Sequence, residues 1–164
     1  MVYGEEALEI FAPKVMRAQS LLTFVQCRAD ELSFRVLCNY LQQKGIAIAL
    51  LTEGPAADEA RNLVLVISED AMCKLEPDLE TLQLAMGAQS LVITRAVAVV
   101  RILGPHFDLR PGVAATLFRQ LELAGVRLLA NSTTITTSLL VVFENELDKV
   151  EREIGKIFRM PKGR

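Results

Sequence analysis

A chain of 164 residues has room for one large domain or two small ones, and with 51% of its residues apolar it can build a core. Its 18 basic and 20 acidic residues leave a net charge of −2, so no strong field draws it to nucleic acid. Cys27, Cys38 and Cys73 are odd in number, widely spaced and without a CxxC pair, which argues against a disulfide framework or zinc site and reads as small buried apolar residues in a reducing compartment.

Residues 1–20 form an ill-defined lead in which Pro13 interrupts any helical turn. The first ten residues carry three glutamates and no basic stretch, so they do not read as a signal peptide. The apolar runs at 46–51, 63–67 and 96–100 fall far short of the ~18 residues that cross a bilayer. The expectation is a cytoplasmic chain with no membrane attachment.

A mostly apolar strand is expected at 21–27. Asp30 stands at an N-cap, and a helix from Glu31 to Lys44 puts Phe34, Leu37 and Leu41 on one face. Gly45 suits the left-handed residue that ends such a helix, and 46–51 reads as the next buried strand. The stretch 52–60, with Gly54-Pro55, reads as a loop, and 62–68 as a strand joined to the previous one as a hairpin. A helix starts at Glu69 and is uncertain at Pro77; Leu75, Leu79, Leu82 and Met86 give it an apolar side before Gly87. Residues 90–94 close this first half as a strand.

The same order returns about eighty residues later. A strand at 96–103 runs into the loop 104–112. Pro111 fits the first helical position, where its missing N–H costs nothing. Val113, Leu117 and Leu121 form a buried stripe, Gly125 ends the helix, and 126–130 is a strand. Asn131-Ser132-Thr133-Thr134 leads into a strand at 136–143. Asn145 caps a final helix at 146–158 whose stripe is Leu147, Val150, Ile154 and Ile157. Strand-helix-strand-strand-helix, given twice, is a pair of ferredoxin-like α+β domains with antiparallel sheets. The expected division is a lead at 1–20, a first domain at 21–95 and a second at 96–164. Open sheet edges and apolar surface predict a homodimer or larger assembly.

Catalytic groups are few. His106 is the only histidine and reads as a packing residue beside Pro105, not a base. No histidine pair for a metal and no phosphate-binding glycine loop is present, and the adjacent carboxylates sit in loops or helix starts. Two features remain. The loop 108–112 precedes a helix whose free N–H groups suit a carboxylate, and Gly112 admits close approach; it also fits an ordinary loop. The polar run 131–138 offers hydroxyls and an amide to an ammonium group; it also fits a solvated sheet face.

Taken together, Arg110-Pro-Gly-Val-Ala-Ala-Thr-Leu-Phe118, Leu123-Ala-Gly-Val126, Ala130-Asn-Ser-Thr-Thr-Ile135, Ser138-Leu-Leu-Val141 and Glu146-Leu-Asp-Lys149 resemble the tandem ACT regulatory region of aspartokinases. The resemblance is good over about 96–158; the first repeat follows in layout only. Its loop from Arg28 to Ser33 is shorter and lacks the Pro-Gly, and Thr134 stands where the family has a glutamate. The resemblance implies a ferredoxin-like ACT pair that binds an amino acid, such as lysine or threonine, at the interface between ACT domains and controls an amino-acid biosynthetic enzyme. It implies no cofactor and, without the kinase domain, no kinase activity. Matched by motif, Phe107, Asp108, Arg110, Gly112 and Val113 take the ligand carboxylate. Asn131, Ser132, Thr133 and Thr134 take its amino group. The alternative is an ACT assembly module whose ligand site is lost.

Overall fold

The structure, a computed structural model, describes residues 8–28, 31–104 and 111–159. In chain order the strands and helices are β1 (Leu8–Glu9), β2 (Lys14–Cys27), α1 (Glu31–Gln43), β3 (Leu50–Pro55) and β4 (Arg61–Ser68). Then come α2 (Glu69–Leu75), a 3₁₀ turn (Glu76–Asp78), α3 (Leu79–Met86), β5 (Ser90–Leu103) and α4 (Val113–Leu123). The chain closes with β6 (Leu128–Thr133), β7 (Thr137–Phe143), a second 3₁₀ turn (Glu144–Glu146), α5 (Leu147–Ile157) and β8 (Phe158–Arg159).

These elements divide into two compact units. The first unit is Arg17–Val97; the second runs from Ala98 onward and takes in the N-terminal stretch up to Met16. Each unit is ferredoxin-like, α+β with antiparallel pairing.

In the first unit the strand order is β3-β4-β2-β5, with β4 antiparallel to both β2 and β3. Phe24, Leu37, Leu41, Leu65, Ile67, Met72, Leu75 and Met86 fill one core between the sheet and its helices. Phe34 is not among them: it is 41% exposed, and Ser33 turns inward in its place. Pro77 divides the second helical stretch, because it cannot donate to the preceding turn. Ser68 caps α2, its hydroxyl accepting from the Ala71 N–H.

In the second unit the order is β5-β7-β6, and α4 and α5 cover a core of Val100, Ile102, Leu117, Leu121, Leu140, Leu147, Val150 and Ile154. The lead contributes here. Ile10 is buried in this core, Phe11 N donates to Leu103 O at 2.9 Å, and β1 pairs in parallel with β8.

Both hairpins start later than the apolar runs suggest. The Ile46 and Val126 N–H groups donate back to Leu41 O and Leu121 O, while the N–H groups of Gly45 and Gly125 donate to Gln42 O and Glu122 O. This paired closure ends α1 and α4 alike, with the glycines at φ +62° and +68°. Ile46 and Val126 are therefore apolar plugs under a helix end. The strands expected at 46–51 and 126–130 fall instead at Leu50–Pro55 and Leu128–Thr133. Gly54 and Pro55 lie in β3, not in a loop. The turn is at Ala57–Ala60, where Asp58 and Glu59 both take positive φ and Ala60 N donates to Ala57 O, the twist a tight hairpin requires.

Asn145 lies inside a 3₁₀ turn, and the N-cap of α5 is Glu146, whose side chain makes no capping hydrogen bond. Asp30 lies outside the described residues. Cys27 is buried and Cys38 half-buried, but Cys73 is exposed on α2, so the expectation that all three are buried does not hold. Among the described residues no helix is long and apolar enough to cross a membrane.

Candidate functional site

Each unit has the same corner. The first strand ends there, the first helix begins there, and the hairpin lies alongside.

In the second unit, Gly104 N at the end of β5 donates to Thr136 O in the β6–β7 turn at 3.1 Å. Gly112 caps α4 at φ +90°, and its carbonyl accepts from Thr116 N at 2.8 Å. Pro111 precedes this cap and is not the first helical residue: a left-handed residue must come between it and the helix. Among the described residues no side chain caps the first turn, and Val113 packs half-buried on the core. Phe107, Asp108, Arg110 and His106 lie outside the described residues.

Register divides the polar run. Asn131 pairs with Leu140 and Thr133 with Ser138, and Leu140 belongs to the core, so Asn131 and Thr133 share the helix-covered face. Ser132 pairs with Leu139 and faces the other way. The hydroxyls serve the hairpin. Thr133 Oγ1 lies 3.0 Å from Ser138 Oγ, and the Thr134 N–H and hydroxyl both donate to Thr137 O, at 2.8 and 3.2 Å.

The first unit carries a cavity of about 60 Å³ at its equivalent corner. Gln26, at φ +52°, turns the end of β2, and its N–H donates to Asn62 Oδ1 at 2.9 Å. This bulge sets Cys27 opposite Arg61. The Arg28 guanidinium donates to Ala85 O at 2.9 Å and the Ser33 hydroxyl to Met86 O at 3.1 Å, so both hold the end of α3. Cationic donors at a helix C-terminus meet its unpaired carbonyls and the negative end of its dipole. Across the cavity, Arg61 Nη1 pairs with Glu53 Oε1 at 2.8 Å, both partly exposed. Phe34 and Leu63 complete the lining. Burial pushes the Cys27 thiol up, so it stays protonated at neutral pH.

Glu53 and Arg61 escape a reading of the sequence because Glu53 lies within, and Arg61 directly after, a stretch whose composition signals a loop. Their mutual signal is eight-residue spacing across a tight hairpin, visible only once β3 is placed at Leu50–Pro55. Among the described residues no three of His, Cys, Asp and Glu stand close enough together to hold a metal.

Solved structures share this architecture. The chain is similar to the regulatory subunit of aspartate kinase from Thermus thermophilus in its ligand-free form, at 16% identity and TM-score 0.75, covering 94% of this chain and 100% of that one. It is similar to the regulatory subunit of aspartate kinase from Thermus flavus, at 16% identity and TM-score 0.80, covering 92% and 99%. It is also similar to E. coli aspartokinase III in complex with lysine and aspartate, at 14% identity and TM-score 0.60, covering 96% of this chain and 35% of that one. No protein-family model and no curated protein sequence matches the chain. At these identities the likeness is one of fold: the two ferredoxin-like α+β units share their architecture with these aspartate kinase regulatory subunits.

Proposed function

We propose that this chain is a non-catalytic regulatory module that binds a small amino acid at an ACT corner and controls an amino-acid biosynthetic enzyme of the aspartokinase kind. The observation that carries the reading is the charged pair in the first-unit cavity. Glu53 offers a carboxylate to an α-ammonium group, and Arg61 offers a guanidinium to an α-carboxylate. A zwitterion replaces their mutual contact with two of its own. Lysine and threonine are the first effectors to test, since one structure of similar fold is described with lysine. A homodimer or larger fits the exposed apolar residues of the first unit, Leu84, Val92 and Ile93 among them.

A second site is favoured by one observation: Gly112 opens the head of α4, and among the described residues no side chain caps its first turn. There Gly112, Val113, Asn131, Ser132, Thr133 and Thr134, with Phe107, Asp108 and Arg110, hold the ligand.

Titration calorimetry on variants separates the two. Losing a hydrogen bond to a charged group costs roughly 1.5–3 kcal/mol, so Arg61→Ala weakens a first-unit site by about ten- to a hundredfold. Gly112→Val and Ser132→Ala then leave affinity unchanged. Loss in Gly112→Val and Ser132→Ala with full binding in Arg61→Ala moves the site to the second unit. Absence of binding in the parent chain leaves the assembly module.

A further inference from the structure

The chain passes between its two units twice, after Met16 and after Val97. Next to each crossing an alanine is held at positive φ: Ala18 at 51° and Ala96 at 53°. An L-residue enters this region at a cost, and only surroundings that fix it hold it there. Both bends are fixed by side chains. On β2, the Gln19 amide, 8% exposed, folds back to donate to Arg17 O at 2.7 Å and Ala18 O at 3.3 Å, the two carbonyls flanking the bend. Next to it the fully buried Ser20 hydroxyl donates to Glu69 Oε1 at 2.7 Å. On β5, Arg95 donates to Glu69 Oε2 at 2.9 Å, and Ala96 N lies 3.5 Å from Glu69 Oε1. The second arm of Arg95 reaches Glu76 Oε1 at 2.7 Å, tying the network to the 3₁₀ turn.

One carboxylate at the start of α2 thus joins the two strands at the places where both leave the first unit. We propose that Glu69 is a latch: it holds both bends together, and its release loosens both crossings at once while the core of the first unit stays closed. Three features favour a latch over a surface ion pair. The carboxylate accepts from two different strands, one donor is fully buried, and both strands are bent beside it. A surface pair between long side chains has no reason to coincide with backbone held in a sparsely populated region. The inference stands whether or not either corner binds an amino acid.

Site-resolved amide hydrogen exchange on the full chain tests it. In Glu69→Ala the amides of Arg95, Ala96 and Val97 on β5, and those of Ser20 and Leu21 on β2, exchange about tenfold faster or more, while Leu65 and Val66 in the middle of the sheet keep their protection. Ser20→Ala, which removes one donor and leaves Arg95 in place, speeds the β2 group more than the β5 group. A second variant, Glu69→Gln, guards against misfolding of the first: it keeps the size and one acceptor and shows the same local pattern, weaker. Equal acceleration at Leu65 and Val66 makes Glu69 an ordinary stabilising residue and overturns the proposal. So does unchanged exchange at both bends.

Discussion

Tyr40 and Gln120 occupy the same position in the first helix of their units, eighty residues apart, and each donates its side-chain hydrogen bond to a carboxylate of the second helical stretch. Tyr40 donates to Asp78, which also accepts from Lys44 at 2.9 Å. Gln120 donates to Glu153 at 2.7 Å, which also accepts from Lys156 at 2.7 Å. Two side chains of unlike chemistry therefore build one clamp twice.

The clamps predict acid sensitivity. The Tyr40 hydrogen bond and Lys44 hold the Asp78 carboxyl below its ordinary value, and Gln120 and Lys156 do the same for Glu153. A folded-state value below the unfolded one adds stability that is present above the unfolded value of about 4 and is lost as the pH falls through the folded one. Urea midpoints measured from pH 7 down to pH 3 should fall with acid. The fall should be shallower in Asp78→Asn with Glu153→Gln, which remove the titrating groups. An identical pH slope in that double variant contradicts the account.

Gly87 couples backbone and cavity. It sits at φ +61°, and an added Cβ would lie 2.7 Å from Arg28 Cγ. Gly87→Ala should cost about 1–2 kcal/mol through the left-handed conformation alone. It should also push Arg28 off the end of α3 and weaken any ligand of the first-unit corner. Gly45→Ala meets no atom within 4 Å, so it should show the conformational cost without the loss of affinity. Chemical denaturation and calorimetry on both variants check the difference.

The two cores are separate clusters. Leu65→Ala in one and Leu117→Ala in the other each empty a fully buried position and should cost about 2–5 kcal/mol. The two clusters share no residue among the described ones, so the double variant should lose the sum to within about 0.5 kcal/mol. Denaturant unfolding measures all three.

Periodicity made the helices legible, because the stripes Leu117–Leu121 and Leu147–Val150–Ile154 repeat at three and four residues and the closing glycines are unambiguous. Strand starts were less so. Ile46 and Val126 look like strand residues, but each is consumed by the closure of the preceding helix, a choice made by backbone hydrogen bonds that hydrophobicity does not record. Phe34 and Ser33 exchanged roles for a similar reason: the buried site needs a hydroxyl for Met86 O, and composition alone favours the aromatic. Pairing between distant segments was not legible at all. That Ile10 completes the second core, and that Glu53 meets Arg61 at a cavity, follow only from strand partners set by the whole fold.

The most direct test of the central claim is a thermal-shift screen of the chain against the twenty amino acids, each in large excess. A ligand that binds only the folded state raises apparent stability, by about 2.7 kcal/mol at a hundredfold excess over its dissociation constant. The account predicts a rise in Tm for one or a few amino acids, lysine or threonine first, and its loss in Arg61→Ala. A flat response to all twenty contradicts it.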